Sequence, residues 1–509
     1  MPHEAMDRPG NVLIVTADQW RGDCLSCLGH PAALTPQLDR LAADGVLFER
    51  HFSQATPCGP ARASLHTGLY AGNHRSITNG TPLDARHKTW AQMARAAGWD
   101  PVLFGYTDTS ADPRTLPPDD PRLRTYEGIA PGFRAELRLP EAEDAYFDHL
   151  AARGYGRRGY DEVYRRGFLE PAPFAAEDSI TAFLADRFLD WLGARGGGEP
   201  WFAHLSFLKP HPPFVAPEPW FSLVDPARTP PPARAPSVED EAALHPWLAV
   251  HLAQPIAGSA VPEGQPQNRR ALLASASLAR LRAVYLGLIA ELDHHLGRIL
   301  DALTRRDELD RTLVIVTADH GEMLGDHWML GKAGFFPAAF HVPLIVRCPR
   351  GPRGRRVRAF TEHVDLMPTL LETLGLPPSL QCDGASLLPF LRGGTPQHWR
   401  QAAHWEHDFR DLEEPTFERA LGLSADECAL AVRFDGRLAY VHFTALPALC
   451  FEVAADPGWS VDLARDPARA ADILAQAQAM LSWRMRMAER RLTGCKLTPS
   501  GVLGRYEPA

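Results

Sequence analysis

Two apolar runs, far apart in the chain but nearly identical in composition, constrain its fold most strongly. They are 11–17 (NVLIVTA) and 312–318 (TLVIVTA), and both are rich in β-branched residues. Continuous runs of this kind are typical of strands that are buried on both faces of a parallel sheet. Because helical patterns alternate with the buried runs, we predict an α/β fold in which helices sandwich a large, mainly parallel sheet.

Periodicity and turn residues outline the remaining elements. We predict helices over 35–45 (with Thr35 as the cap), 90–97 and 275–305, and strands over 101–104, 201–208 and 344–346. After about residue 380 the pattern changes to a hairpin around Asp435-Gly436, a strand at 451–453 and a helix over 467–491. We therefore predict an α/β domain over 1–380, with insertions at about 110–175 and 225–270 that shape a pocket rim. A smaller α+β C-terminal domain with an antiparallel sheet and a tail is predicted over 381–509.

Both apolar runs end with Thr-Ala followed by polar residues that can bind a cation. Asp18 and Gln19 follow the first run, and Asp319 and His320 follow the second. Ligands of open α/β sheets bind at the carboxyl ends of parallel strands, so we expect these four side chains to meet. Three oxygen donors and one imidazole, without a thiolate, suit one divalent cation: Mn2+ or Ca2+, with Mg2+ as a further option.

The pentapeptide Cys58-Gly59-Pro60-Ala61-Arg62 has the pattern Cys-x-Pro-x-Arg and precedes a helix-like run. On its own, the pattern also fits a loop cysteine followed by a proline that opens a helix. It resembles the signature of sulfatases in the alkaline phosphatase superfamily, in which the cysteine is oxidised after translation to formylglycine. The Asp18 strand, the Cys58 motif, and the later segments 319–322 and 363–369 occur in the order typical of that family.

Within that family the chain resembles the phosphonate monoester hydrolases, which also cleave phosphodiesters. The resemblance lies in the segments 58–82, 105–109, 209–214 and 325–332. Ordinary sulfatases usually place Lys-x-His after the second strand, whereas this chain has Tyr106-Thr107-Asp108. Asp18 and Asp319 roughly cancel the charge of a divalent ion, so that Arg62 and Lys332 leave a modest positive excess. Such a site favours a monoanionic ester over a dianion. Phosphodiesters, phosphonate monoesters and sulfate esters are all monoanions, so charge alone does not separate them.

The resemblance implies roles for the matched residues. The implied metal ligands are Asp18, Gln19, Asp319, His320 and Cys58, the last through one hydroxyl of hydrated formylglycine. The implied catalytic residues are Cys58 as the nucleophile, Arg62 stabilising its alkoxide, Lys332 binding non-bridging oxygens and His211 protonating the leaving oxygen. The implied substrate-binding residues are Asn79, Tyr106, Thr107 and Asp108, with Thr109 as an alternative to Asp108.

Other chemically active side chains are interpreted as structural. His204 lies within a predicted strand, where a core histidine is expected, and Cys24-Leu25-Ser26-Cys27 lacks a second pair with zinc spacing. We interpret His327 and His341 as structural residues or as supports of the site.

Charge and composition limit the partners. The net charge of −9 argues against nucleic-acid binding. Residues 1–10 lack the pattern of a signal peptide, and no apolar run reaches the roughly 18 residues of a membrane span. Because eight cysteines in 509 residues do not suggest a disulfide framework, we expect a cytoplasmic protein that does not bind membranes. The resemblance implies maturation by a formylglycine-generating activity and a homo-oligomer, specifically a tetramer, with a contribution from the tail 493–509.

Three hypotheses for function follow. The first is a metal-dependent hydrolase of phosphonate monoesters and phosphodiesters, with side activity on sulfate esters. The second is an arylsulfatase or another sulfate-ester hydrolase. The third is a non-catalytic relative in which Cys58 remains a thiol.

Overall fold

The computed structural model describes residues 8–140, 144–256, 258–262, 268–489 and 491–505. The ends of the predicted N-terminal segment and tail, at 1–7 and 506–509, therefore lie outside the described residues. The strands are β1 Asn11–Ala17, β2 Val46–Phe48, β3 His51–Phe52, β4 Pro101–Gly105, β5 Arg134–Arg138, β6 Trp201–Phe207, β7 Thr312–Ala318, β8 His341–Val342, β9 Leu344–Arg347, β10 Arg355–Val357, β11 Thr361–Glu362, β12 Ala403–Asp408, β13 Ala429–Phe434, β14 Leu438–Phe443, β15 Leu449–Glu452, β16 Cys495–Thr498 and β17 Gly501–Gly504.

Half of the segments between consecutive strands in this list contain α-helices. They are α1 Pro36–Ala43, α2 Cys58–Thr67, α3 Ala71–His74, α4 Trp90–Ala96, α5 Asp144–Leu150, α6 Tyr160–Tyr164, α7 Ile180–Ala194, α8 Val238–Ala242, α9 Pro246–Ala253, α10 Arg269–Leu272, α11 Ser275–Arg305, α12 Pro337–Phe340, α13 Leu366–Thr373, α14 Leu388–Leu391, α15 Thr416–Leu421 and α16 Ala470–Met487.

The two apolar runs form the centre of an eight-stranded sheet with the order β10-β2-β9-β7-β1-β6-β4-β5. Strand β1 pairs in parallel with β7 on one side and with β6 on the other. Strand β9 runs antiparallel to both of its neighbours, and the other pairs of this sheet are parallel. The prediction of a large, mainly parallel sheet is therefore confirmed.

Helices cover both faces of this sheet, as predicted. Alternate residues of β1 point to opposite faces: Leu13 and Val15 pack with α7 and α11, whereas Val12 and Ile14 pack with α4 and α13. Because both faces carry apolar side chains, the central strands need no polar alternation. No helix within the described ranges combines the length and the apolar composition that crossing a membrane requires.

The structure corrects two details of the prediction. Strand β5 lies inside the predicted insertion 110–175, yet it pairs in parallel with β4 at the edge of the main sheet. Thr35 does not cap α1 with its side chain. Instead, the carboxylate of Asp293 accepts hydrogen bonds from the backbone N–H groups of Gln37 (3.0 Å) and Leu38 (2.8 Å). A distant residue thus satisfies the free amides at this helix start.

The C-terminal part carries the predicted antiparallel sheet. Strands β12 to β15 form a four-stranded meander, and α16 packs on it through Met480 and Trp483. Strands β16 and β17 form a separate two-stranded hairpin beyond α16. The predicted boundary at residue 380 between the two domains stays a prediction.

Candidate active site

The carboxyl ends of the two central strands bring distant acidic residues together. Ala17 and Ala318 are paired in the sheet register, so Asp18 and Asp319 leave neighbouring strands at the same level. One donor atom from each of Asp18, Cys58, Asp319 and His320 lies within 4.8 Å of the others, and all four residues are buried. The matching strand ends predicted that Asp18, Asp319 and His320 meet, whereas Cys58 was assigned to this group through the family resemblance.

Cys58 occupies the first position of α2, next to cationic and imidazole groups. Its Sγ lies 3.0 Å from Nζ of Lys332, 3.3 Å from Nε2 of His320 and 4.0 Å from Oδ1 of Asp18. Burial and the nearby carboxylate of Asp18 raise the pKa of the Cys58 thiol well above its usual range, and Lys332 offsets only part of this. As encoded, Cys58 is therefore a protonated thiol and a poor thiolate nucleophile.

The donor set fits a divalent cation. Nδ1 of His320 is 3.0 Å from the carbonyl oxygen of Gly321, so Nδ1 carries the proton and Nε2 presents a lone pair toward the cluster. Burial and Asp319 act to raise the pKa of Asp18, but His211, Lys332 and His320 bring it below its ordinary value. An ionised buried carboxylate and a neutral imidazole are the protonation states that binding of a metal ion requires.

Gln19 is held beside this cluster from two sides. Its Oε1 accepts a hydrogen bond from Nζ of Lys332 at 2.8 Å, and its Nε2 donates to a carboxylate oxygen of Glu322. Glu322 is itself fixed, because it accepts from the backbone N–H groups of Leu324 (3.0 Å) and Gly331 (2.6 Å). The amide oxygen of Gln19 thus has a defined direction, and its role as a metal ligand stays a prediction.

Arg62 is fully buried and binds both aspartates. Its Nε donates to Asp319 at 2.9 Å, and its Nη2 lies 3.4 Å from Asp18. Its Nη1 donates to Oγ of Ser206 (2.8 Å) and to the carbonyl oxygen of Tyr106 (3.0 Å). These bonds fix the guanidinium beneath the site, where it adds positive charge close to position 58.

The segment after β4 enters the site with Tyr106, whose hydroxyl donates to Asp18 and whose ring centroid lies 4.2 Å from Cζ of Arg62. Thr107 is directed elsewhere: its Oγ1 donates to the carbonyl of Gly128 (3.0 Å) and accepts from the N–H of Ala130 (2.7 Å). These two bonds occupy the Thr107 hydroxyl, which supports the loop. Substrate contact by Tyr106 and Thr107 stays a prediction.

Asp108 brings a further carboxyl group to this region. Burial raises its pKa to about 7, against the opposing effect of Arg62 and together with repulsion from Asp18. Its backbone packs against the start of α2, because a Cβ placed on Gly59 would lie 3.3 Å from the carbonyl oxygen of Asp108. The sequence left the role of Asp108 open, and the structure identifies it as a buried acid beside the site.

Asn79 and His211 lie at the more exposed side of the cluster. Oδ1 of Asn79 accepts from the backbone N–H of Gly59 at 2.9 Å and so satisfies one free amide at the start of α2. His211 is half-buried in the loop after β6, and its Nδ1 lies 2.6 Å from the carbonyl oxygen of Pro212. His211 lies close enough to Asp18 to lower the pKa of that carboxyl group by its charge.

The histidines interpreted as structural have partners outside the cluster. His204 shares a hydrogen bond with Thr16 at 2.9 Å within the sheet core. His327 binds Glu241 at 2.7 Å, and His341 binds the carbonyl oxygen of Glu49 at 3.0 Å. They therefore support the surrounding structure.

Two supporting residues escaped the sequence interpretation. Glu322 belongs to a motif that carried the family resemblance, and its spacing after Asp319 was the available signal. Ser206 binds Arg62 from within β6, and no sequence pattern distinguishes it from other strand residues. Both act through the residues that they hold.

The α/β fold thus places a buried cluster that could hold a metal ion, with Cys58 among its donors, at the carboxyl ends of the central strands. A family model described as Sulfatase matches residues 10–376, and a second, described as N-sulphoglucosamine sulphohydrolase, C-terminal, matches residues 325–436. The chain belongs to the sulfatase family, whose enzymes use a metal ion and formylglycine.

Within the family, two solved structures and one curated relative resemble the chain over nearly its whole length. A solved phosphonate monoester hydrolase of Agrobacterium radiobacter is 46% identical, with a TM-score of 0.93, and the match covers 98% of this chain and 100% of that one. Another, from Silicibacter pomeroyi, is 41% identical, with a TM-score of 0.91 and coverage of 97% and 99%. The multifunctional alkaline phosphatase superfamily protein PehA of Trinickia caryophylli is 40% identical over 97% of this chain and 99% of its own length. An arylsulfatase of Clostridium perfringens is only 25% identical, over 78% of this chain and 82% of its own length.

Proposed function

We propose that this protein hydrolyses phosphonate monoesters and phosphodiesters with a formylglycine nucleophile formed from Cys58, and that it has side activity on sulfate esters. The observation that carries this proposal is the position of Cys58 among Asp18, Asp319, His320 and Lys332. The likeness to two phosphonate monoester hydrolases at 41% and 46% identity favours these substrates over those of an arylsulfatase.

The side chains of this site can divide the reaction into two steps. One hydroxyl of the hydrated aldehyde attacks phosphorus and passes its proton to a carboxylate, for which Asp18 is the nearest candidate. The bond to the leaving oxygen breaks, and this oxygen takes the proton of His211. Lys332 and Arg62 balance the negative charge on the phosphoryl oxygens and on the nucleophile.

The second hydroxyl makes the covalent intermediate self-cleaving. A histidine removes its proton, the carbon–oxygen bond to the phosphoryl group breaks, and the aldehyde forms again. The phosphonate or phosphate product leaves with that oxygen, and water then hydrates the aldehyde for the next cycle. A thiol at position 58 has no second hydroxyl and cannot follow this course.

The residues that would hold the metal ion are Asp18, Gln19, Asp319, His320 and the oxidised residue 58. When bound, a divalent ion supplies Lewis-acid stabilisation of negative charge and lowers the pKa of a hydroxyl that it contacts. We propose Mn2+ or Ca2+, with Mg2+ as the third option, because oxygen donors dominate the set and one imidazole is present. Metal analysis of protein purified without added metal, and activity after chelation and reconstitution with each ion, tests this choice.

A substrate panel on Cys58→Ala and the wild type tests the function. We expect the wild type to have a higher kcat/KM on aryl phosphonate monoesters and phosphodiesters than on aryl sulfates. Cys58→Ala should lower kcat by at least about 10³-fold, because no covalent intermediate forms. Cys450→Ala, at a buried thiol in the C-terminal sheet, is the control. A preference for aryl sulfate would support the arylsulfatase hypothesis, and full activity of Cys58→Ala would contradict both hydrolase hypotheses.

We propose that a formylglycine-generating activity of the host oxidises Cys58. Peptide mapping by mass spectrometry tests this, because formylglycine is lighter than cysteine. We expect the lighter peptide in active protein and the cysteine peptide in protein made without that activity. A cysteine peptide throughout fully active protein would contradict the proposal, and in inactive protein it would support a non-catalytic relative.

We also propose a cytoplasmic homotetramer. No disulfide joins any of the eight cysteines, all of which lie in the described ranges, and this suits a reducing compartment. The exposed apolar side chains of the hairpin β16–β17 are available for contact with another copy. Light scattering should give four times the 56.1 kDa mass of the chain, and fractionation of the source cells should recover the activity in the cytosol.

A further inference from the structure

Lys209 lies two residues after the end of strand β6, in the loop that leads to His211, and the described roles of the site do not include it. Lys209 is only 2% exposed, although its side chain ends in a charge. Its Nζ donates to the carbonyl oxygen of His211 at 3.0 Å and to that of Pro213 at 2.8 Å. One ammonium therefore binds the backbone on both sides of Pro212.

These two bonds bear on the orientation of the His211 ring. Because a carbonyl only accepts, the 2.6 Å contact between Nδ1 of His211 and the carbonyl oxygen of Pro212 requires a proton on Nδ1. The Pro212 carbonyl thus directs the ring, and it lies between the two carbonyls that Lys209 holds. Fixing the first and third carbonyls of this turn limits the movement of the second.

Groups around the buried ammonium of Lys209 stabilise its positive charge. Its Nζ lies 5.1 Å from the ring centroid of Tyr164 on α6, a distance at which a cation is attracted to the ring face. The charge of Lys209 also acts on the carboxylate of Glu291, which is 1% exposed on α11. Burying an ammonium is costly unless hydrogen bonds and nearby negative charge offset the loss of water. Here the loop supplies the hydrogen bonds, Tyr164 on α6 supplies its ring face, and Glu291 on α11 supplies a negative charge when it is ionised.

We propose that Lys209 is a positioning residue that holds the His211 loop so that His211 can protonate the leaving oxygen. The proposal rests on the proposed function, in which His211 is the general acid. It assigns to Lys209 no contact with substrate. Its effect should therefore depend on how much the leaving group needs a proton.

The test is a leaving-group series measured on the holoenzyme. The substrates are aryl methylphosphonates whose phenols range from strongly to weakly acidic. In His211→Asn, kcat/KM should fall about 10²-fold or more for the least acidic phenol and less than about 10-fold for the most acidic one. Lys209→Met, which keeps the length of the side chain but removes the donor, should show the same trend. Its loss of kcat/KM should be at least about 10-fold greater for the least acidic phenol than for the most acidic one. In the double variant, kcat/KM should depend on the acidity of the phenol no more steeply than in His211→Asn, because both changes remove the same contribution, protonation of the leaving oxygen by His211.

The outcomes separate the proposal from the function on which it rests. If kcat/KM depends on the acidity of the phenol in His211→Asn as it does in the wild type, the acid role of His211 is overturned, and the role of Lys209 with it. If this dependence is steeper in His211→Asn but Lys209→Met loses kcat/KM equally for all phenols, or loses none, the role of Lys209 alone is overturned. Should Lys209→Met fail to fold, Lys209→Gln, whose uncharged amide nitrogen ends one bond short of the position of Nζ, is measured in the same series. A steeper dependence in that variant supports the proposal, and one parallel to the wild type overturns it.

Discussion

Asp108 is the residue at which this chain adds a negative charge beside the positive groups of the site. It interacts electrostatically with Arg62 and with both aspartates, and its backbone packs against Gly59, directly after Cys58. Above its pKa of about 7 the carboxyl group is ionised and repels a second negative charge on a substrate. We therefore expect Asp108 to favour monoanionic diesters over dianionic monoesters.

Asp108→Asn should therefore relax the discrimination against phosphate monoesters. At about pH 8 we expect the ratio of kcat/KM for an aryl phosphate monoester to that for an aryl phosphodiester to rise about 10-fold, which corresponds to about 1.4 kcal/mol. Asp119→Asn, which removes a charge from an exposed position of the same chain segment, should leave the ratio unchanged. An unchanged ratio in Asp108→Asn would show that the carboxyl group does not face the substrate.

The sequence predicted those residue positions in the site that the ends of the two central strands determine. Asp18, Asp319 and His320 meet because two parallel strands end at one level, and this follows from topology. The direction of Thr107 could not be predicted in the same way. Its hydroxyl is bound by the loop at Gly128 and Ala130, and no pattern in the sequence indicates that this loop returns to β4.

Among the elements, the contact of β4 with β6 depends on Gly105. Its φ is +108°, and a Cβ at this position would lie 2.1 Å from the carbonyl oxygen of Ser206. Ser206 binds Arg62, and Gly105 leads directly to Tyr106. A side chain at position 105 would therefore displace two parts of the site at once.

Gly105→Ala should lower both stability and activity. We expect the free energy of unfolding to fall by about 3 kcal/mol or more, since strain and a backbone clash combine, and kcat/KM to fall by about 10²-fold. Gly98→Ala is the matched control, because its φ is +90° but no atom lies within 4 Å of the added carbon. It should cost only about 1–2 kcal/mol and leave kcat/KM intact. Equal losses in the two variants, measured by denaturant unfolding, would contradict the importance of the β4–β6 contact.

Helix α11 carries a second buried acid whose protonation affects folding. Burial raises the pKa of Glu291 to about 7, against a hydrogen bond from Ser179 and the charge of Lys209. One of its oxygens, Oε1, has no hydrogen-bond partner in the described part of the chain. Because the folded state holds this proton more tightly than the unfolded state, the contribution of Glu291 to stability is fully present below about pH 4.5 and falls as the pH rises to about 7.

Glu291→Gln should remove this pH dependence. Relative to the wild type, the variant should gain up to about 3 kcal/mol in the free energy of unfolding between about pH 4.5 and pH 8. Asp301→Asn, at an exposed position of the same helix, is the control and should show no such gain. Urea unfolding at both pH values measures the difference. A difference between wild type and Glu291→Gln that does not change with pH would contradict the shifted pKa.

Elements with a strong apolar period were predicted to within a few residues, and the others were not. Helix α11 and strands β1 and β7 bury long apolar runs, so their sequence pattern and their packing agree. Strand β5 has the sequence RAELR and is mostly exposed, since it lies at the edge of the sheet. Its backbone pairing with β4 defines it as a strand, and pairing of this kind leaves no apolar pattern to detect.

In the whole molecule, the C-terminal hairpin of β16 and β17 exposes apolar side chains to solvent. Leu497 and Val502 pair across β16 and β17 and are 79% and 43% exposed. A two-stranded hairpin is at best marginally stable alone in water, because it buries little apolar surface. Contact with another copy of the chain would bury these side chains and stabilise the hairpin.

Leu497→Ser together with Val502→Ser should therefore weaken the proposed tetramer. Each apolar side chain contributes about 1.5–3 kcal/mol when it is fully buried, and every copy would lose two of them. We expect light scattering at micromolar concentration to show a lower average mass that rises again with protein concentration. Lys496→Ser, on the other face of the same hairpin, should keep the mass of the wild type. If a contact through the hairpin holds the copies together, removing its apolar pair must weaken their association. An unchanged mass in the double variant would therefore assign the assembly to another surface.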